Sequence, residues 1–295
     1  MKIALENRRM RSLLRRSSYL LYIVPALAVF LLFRHYAIIE GLRMSLIDFN
    51  PRGPSEFVGF EHYIRVLQRP RLFESFVRTG YFLVLYLPVS IASSLLVALL
   101  INARGIRGTL FFKVSFFVPV ISTFAAMAYV WESLLNPDFG PFGALLTALG
   151  FEKFFLLGSI TWALPTIVAI SVWKNMGFYV IVFSANLEMI DPAYHEAARC
   201  DGANAWQQFR YVTVPFLHAA FTVSILIGLV DAFQAFTPIF IITAGGPGTS
   251  TETIMYYVFN LAYVLSKWEW AAAGSVIVFL VLAAIAAVPG KLLKL

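Results

Sequence analysis

Two sets of residues in this 295-residue chain have types and spacings that could do chemistry. The first is polar groups inside apolar runs: Lys174 beside Asn175 in one run, and Asp231 with Gln234 in another. A charge at the centre of a membrane helix costs about 2.5 to 3.5 kcal/mol on insertion scales, so such residues face protein or water and are functional suspects by default. Asp231 and Gln234 are three positions apart and are expected on one helix face. Two compatible readings stay open: a Lys174–Asp231 salt bridge that closes a helix bundle, or a pocket whose amide and carboxylate groups grip a polyol between aromatic walls. The second set is a polar island, Tyr194-His195-Glu196-Ala197-Ala198-Arg199-Cys200-Asp201-Gly202-Ala203, followed by Val214-Pro215. It reads as two short helices hinged at a glycine. Asp191 can cap the first, and Pro192 fits its first turn, where a missing N–H costs nothing. Gly202 can take the left-handed conformation that ends it, and Asn204 with Gln207 can form a capping box for the second. Val214, before a proline, is expected outside helical geometry.

The elements that must position these groups follow from composition. With 60% hydrophobic and 13% charged residues, the chain has too little polar surface for a soluble globule of its size. A membrane span takes about 20 mostly apolar residues. Six stretches qualify, at roughly 18 to 40, 76 to 102, 110 to 134, 161 to 189, 216 to 243 and 269 to 290. The first lacks a small-residue cleavage site and is too long for a signal-peptide core, so it is expected to remain as an anchor. Lys2, Arg8, Arg9, Arg11, Arg15 and Arg16 against Glu6 place the N-terminus in the cytoplasm, and six spans return the C-terminus to the same side. Lys174 and Asp231 then lie near mid-bilayer and the polar island faces the cytoplasm. The expected organisation is a cytoplasmic tail over 1–17, one transmembrane domain over 18–290 with the island as a cytoplasmic loop at 191–215, and a short cytoplasmic end at 291–295.

Between the spans, residues 44 to 75 are too polar for lipid, and Asn136-Pro137-Asp138-Phe139-Gly140 and Gly245-Gly246-Pro247-Gly248 are turn signals. Tyr256, Tyr257 and Phe259 suggest an interfacial helix, Trp206, Phe209 and Tyr211 are expected against span ends, and Arg34 with His35 at the outer end of the first span.

Enzyme signatures are missing from the sequence. Gly245-Gly246-Pro247-Gly248 lacks the Lys-Ser/Thr of a phosphate-binding loop. His35, His62, His195 and His218 have no metal-ligand spacing, and the single cysteine, Cys200, permits no disulfide within the chain. The net charge of +7 could suggest nucleic acid, but the basic residues flank hydrophobic stretches, where orientation explains them.

The island resembles the EAA loop of ABC importer permeases, in which Glu-Ala-Ala, a glycine and a downstream proline build the coupling helices seated in a cleft of the ATPase subunit. Phe57-Val58-Gly59-Phe60-Glu61-His62-Tyr63 is similar to the "VGxxNY" segment of sugar-type permeases, with His62 where asparagine is usual. Asn136 to Gly140 resembles their turn between the third and fourth spans, and Thr243-Ala244-Gly245-Gly246-Pro247-Gly248 their "TxGGP" signature. The likeness is to the carbohydrate-uptake class, on the side of the larger permease of the maltose importer, without that subunit's extra N-terminal spans and large periplasmic domain.

The resemblance implies an all-α integral membrane protein with a six-span, MetI-like bundle of the type I ABC importers, both ends inside. It implies ATPase coupling through Glu196, Ala197, Ala198, Asp201, Gly202 and Ala203. Substrate binding would fall to Ser171, Lys174, Asn175, Phe178, Asp231 and Gln234, with Lys174 suiting an anionic sugar. The implied partners are a second homologous permease, a dimer of ATPase subunits carrying ATP and magnesium, an extracytoplasmic binding protein and a carbohydrate, in a bacterial or archaeal cytoplasmic membrane. The chain itself is expected to hold no cofactor and no metal. An ion-driven secondary transporter and a membrane-embedded enzyme are the alternatives, disfavoured by the loop and by the missing catalytic cluster respectively.

Overall fold

The computed structural model describes residues 22–49, 53–103, 105–150 and 155–292. The basic tail over 1–17 and the last residues, 293–295, lie outside the described residues. In chain order the elements are α1 (Tyr22–Met44), a two-stranded antiparallel ribbon of β1 (Ile47–Asp48) and β2 (Glu56–Phe57), α2 (Glu61–Leu67) and α3 (Pro70–Ile101). Then come α4 (Thr109–Ile121), α5 (Phe124–Leu134), α6 (Pro141–Ala148) and α7 (Ala163–Glu188). The polar island forms α8 (Pro192–Cys200) and α9 (Ala205–Gln208), and the chain ends with α10 (His218–Phe233), α11 (Thr237–Ile242), α12 (Ile254–Phe259) and α13 (Trp268–Leu292).

Among the described residues, five helical stretches are long and apolar enough to cross a membrane, and a sixth if the bent pair α4–α5 counts as one span. That pair departs from the uninterrupted helix expected over 110 to 134: its halves are bent by 96°. Pro119 removes one helical N–H, and Ser122 and Thr123 both adopt extended backbone between the halves. The stretch expected at 216 to 243 is also interrupted. Here α10 ends at Phe233, Gln234 caps it with non-helical backbone, and α11 begins at Thr237.

The bundle is held by close crossing rather than by hydrophobic contrast, since lipid tails are as apolar as leucine. The 32-residue helix α3 is about 48 Å long at 1.5 Å per residue. It starts with Pro70 after an extended Arg69, and its buried stripe, Ser75, Thr79, Phe82, Tyr86, Ser90, Ser94 and Ala98, recurs every three or four positions. The small residues of that stripe let α7 approach, and Ser94 donates to the Met176 carbonyl at 3.2 Å. Tighter still is the contact of α4 with α7, where a Cβ at Gly177 would come within 2.0 Å of the Phe116 carbonyl oxygen.

Other expectations are corrected. Tyr256 and Tyr257 are buried in the bundle rather than interfacial, because α12 tucks beneath α3 and α13. Arg34 and His35 lie inside α1, which runs on to Met44, and Arg34 stacks over Phe30 at 5.3 Å. Val214 keeps helical dihedrals (φ −60, ψ −44), since the π-turn Phe209–Thr213 runs straight into Val214–Phe216; the chain leaves the helix only at Leu217.

Candidate transport site and coupling loop

The two interrupted spans converge on one cavity. Its volume is about 210 Å³, and its walls come from α3, α7, the residue opening α5 and the unwound turn between α10 and α11. Backbone without helical partners is tolerated at membrane depth where it is buried in protein or lines a cavity. The second break meets that condition, since Gln234 and Ala235 line the cavity, and the first adjoins it through Phe124. The Ala235 carbonyl, freed by the second, accepts from Thr253 Oγ1 at 2.8 Å. The Val120 carbonyl, freed by the first, accepts from Lys174 Nζ at 3.4 Å.

Four of the six expected binding residues, Ser171, Asn175, Asp231 and Gln234, share this wall. Lys174 does not: its ammonium points to Val120 and lies 5.9 Å from the Phe124 ring centroid. It forms no ion pair with Asp231 within 4 Å. Lys174 serves the carbonyl freed by the broken helix, where an unsatisfied group costs as much as a lost hydrogen bond, and acts on Asp231 only through space. Phe178 faces away, packed edge-on against Tyr179 with centroids 5.5 Å apart. Gln234 joins the cavity as the cap of α10 rather than on a continuous face with Asp231.

Asp231 is held by tyrosines that the sequence reading passed over. Tyr179 donates to Asp231 Oδ2 at 3.1 Å and Tyr86 to the same oxygen at 3.4 Å. Asn175 Nδ2 in turn donates to the Tyr86 hydroxyl at 2.8 Å. Phe82 and Phe124 supply aromatic wall. The signal was present: a tyrosine in an apolar run brings a hydroxyl that needs a partner when buried.

The loop between α7 and α10 has the geometry expected of it. Asp191 Oδ1 accepts from Ala193 N at 2.9 Å, and Pro192 opens α8. Gly202 has φ +82, with Ala203 N bonded to Ala198 O at 2.9 Å and Gly202 N to Arg199 O at 3.0 Å, the Schellman closure of a helix. Asn204 and Gln207 exchange bonds of 2.8 and 2.9 Å in a capping box. Glu196, Ala197, Asp201 and Gly202 are exposed, and Ala198 and Ala203 half-buried. Trp206 and Tyr211 are exposed as well, at 68% and 74%, rather than packed on span ends. The loop is rooted by Ile190, Thr213 and Leu217, all buried, and a cleft of about 420 Å³ separates the rest of it from the ends of α3 and α7.

On the opposite face a clasp closes the bundle, unforeseen in the sequence. Glu252, 1% exposed, takes Arg71 Nε at 2.6 Å and Nη2 at 2.9 Å, and Asn260 Nδ2 at 3.0 Å. Arg78 Nη2 donates to Thr249 Oγ1 at 3.0 Å, and Ile254 N to Thr79 Oγ1 at 2.9 Å. These bonds seat the Thr243–Gly248 turn on the N-terminal end of α3. Gly245 at φ +82 lies where a Cβ would meet the Tyr256 ring at 2.6 Å. Burial of Tyr256 pushes its hydroxyl pKa above the ordinary tyrosine value, so it remains a donor, and it bonds the Ala244 carbonyl at 2.8 Å. His62, where the resembled motif has asparagine, is buried with Nε2 3.0 Å from the Ile47 carbonyl oxygen.

Comparison with known proteins bears on the whole arrangement. The chain is 27% identical over 278 residues to the probable ABC transporter permease protein YurN of Bacillus subtilis, covering 93% of this chain and 95% of that one. It is 30% identical over 262 residues to the trehalose/maltose transport system permease protein MalF of Thermococcus litoralis, covering 88% of each. In fold it matches a chain of the crystal structure of a bacterial ABC transporter involved in the import of the acidic polysaccharide alginate, with a TM-score of 0.83, 22% identity and coverage of 97% and 98%. The family description "binding-protein-dependent transport system inner membrane component" matches residues 57–293, which span both helix breaks, the cavity, the loop and the clasp. The chain belongs to that family of multi-pass membrane permeases.

Proposed function

We propose that this chain is one transmembrane subunit of an ATP-driven importer that passes a carbohydrate, delivered by an extracytoplasmic binding protein, through alternating access. One observation carries the reading: the loop that exposes Glu196 and Ala197 directly joins α7 to α10, the two helices that bring Ser171, Asn175 and Asp231 to the cavity wall. A push on α8 and α9 would travel through the buried roots Ile190, Thr213 and Leu217 into both helices and turn two cavity walls at once. Glu196, Ala197, Ala198, Asp201, Gly202 and Ala203 are the docking surface, the alanines permitting close approach and Glu196 and Asp201 supplying charge. Exposed Trp206 and Tyr211 extend it.

In this reading ATP and magnesium belong to a dimer of separate ATPase subunits, and a second homologous permease completes the pathway. Support for a saccharide comes from polar groups set between Phe82 and Phe124, and from relatives such as the lactose transport system permease protein LacF of Rhizobium radiobacter, 28% identical with 89% of each chain covered. The orientation puts both ends and the loop in the cytoplasm of a bacterium or archaeon.

Two measurements test it. The tagged chain, purified gently from its own membranes, is expected to bring down an ATPase and a second permease; recovery of active transporter without either would favour an ion-driven carrier. Native Cys200 is exposed in the loop. An impermeant maleimide should label it only after the cells are opened, and labelling of intact cells would reverse the orientation.

A further inference from the structure

The wall of the midplane cavity carries an inference about the charge of the cargo, and it rests on reading that cavity as the substrate site. Among the described residues, Asp231 is the one carboxylate lining the cavity, and no lysine, arginine or histidine lines it. Both tyrosine hydroxyls meet the same carboxylate oxygen, Oδ2, which leaves Oδ1 for a ligand hydroxyl. Asn175 commits its amide N–H to Tyr86, and Gln234 stands exposed on the wall. The nearby ammonium, Lys174, is turned to the Val120 carbonyl at the break between α4 and α5.

We infer that this cavity accepts uncharged polyols and rejects anionic sugars. Saccharide hydroxyls donate to Asp231 Oδ1 while the ring's C–H faces lie on Phe82 and Phe124. A carboxylate or sulfate in the same place would meet Asp231 at contact, while Lys174 acts on that carboxylate only through space from its place at the Val120 carbonyl, and like charges juxtaposed without water between them repel strongly. The fold itself does not set this preference, since a transporter of an acidic polysaccharide shares it. In this chain the decisive contact is the one that removes Lys174 from the wall.

The test uses the purified complex with Cys200→Ser and a reporter cysteine at Gln234, and in a second variant at Thr237, so that failure of one reporter to assemble leaves the other. Methanethiosulfonates of similar size carrying a positive, a neutral or a negative group are compared, each normalised to its rate with a free thiol. The cationic reagent is expected to react at least about tenfold faster than the anionic one. Adding Asp231→Asn should bring that ratio close to unity. An anionic reagent as fast as the cationic one, or a ratio untouched by Asp231→Asn, would overturn the inference.

A second arm asks for protection by neutral trisaccharides (maltotriose, cellotriose, raffinose) and by uronate trisaccharides. Slowing by a neutral sugar alone supports the inference, and slowing by a uronate overturns it while leaving the cavity as the substrate site. If no sugar protects although the charge ratio holds, the substrate reading itself falls, and the inference falls with it.

Discussion

The loop at 191–215 and the cavity are built in opposite ways. Every fixed bond of the loop is local: Asp191 to Ala193, Ala203 to Ala198, Asn204 with Gln207. Bonds that shape the cavity cross the chain instead, from Tyr86 and Tyr179 to Asp231 and from Lys174 to Val120. A self-capped loop held by three buried roots can move as one piece without unfolding. The cavity, whose polar groups satisfy one another across helices, can change shape only when those helices move. That division is what a machine needs if force enters at one place and is used at another, and it implies that damage to the two regions should look different.

The largest effect is expected at the crossing that frames the cavity. Gly177→Val would drive its side chain into the Phe116 backbone, and overpacking that backbone must absorb costs upwards of about 3 kcal/mol. Assembled complex in the membrane should fall sharply, as read by fluorescence-detected size-exclusion chromatography; normal yield would mean that α4 does not pack as described.

Asp231→Leu comes next. It strands two buried hydroxyls, at about 1 to 3 kcal/mol for an unsatisfied group. The melting temperature of the complex in detergent should drop and uptake be lost. Lys174→Met should cost less, about 1 kcal/mol, since it removes one long bond to a carbonyl. Because the two residues have different partners, the double variant should be no more stable than Asp231→Leu alone. Rescue in the double variant would mean that the through-space attraction between Lys174 and Asp231 outweighs the separate bonds each makes.

Smallest in stability is Gly202→Ala. No heavy atom lies within 4 Å of the added Cβ, so only the left-handed backbone is strained, by about 1 kcal/mol. Assembly should be nearly unchanged while uptake drops. A variant that fails to assemble would mean the loop is part of the bundle's structure rather than a separate moving part.

This contrast also explains what could be read from the sequence. Capping residues, a hinge glycine and a proline specify the loop within about twenty positions, so α8 and α9 were legible residue by residue, apart from Val214, whose helical turn is carried by its neighbours. The apolar runs located the spans. Hydropathy is blind to a bend, however, and the 96° break between α4 and α5 changes no residue's apolarity. Missing that break made Lys174 look like a partner for Asp231, because the carbonyl it serves exists only once the helix is broken. The Arg71–Glu252 clasp was hidden for a related reason: its partners lie 181 positions apart, and no local pattern joins them.

The central claim is that force enters through the exposed Glu196 surface and is used at the cavity. It is tested most directly by measuring ATP-driven uptake and ATP hydrolysis together in proteoliposomes holding the purified complex with Glu196→Lys. Glu196 is exposed on α8 and forms no hydrogen bond or ion pair with another of the described residues, so the fold should melt at the parental temperature. The prediction is that uptake per ATP hydrolysed falls at least about tenfold, the loss expected when a docking charge meets like charge. Uptake and hydrolysis both at parental levels would contradict it.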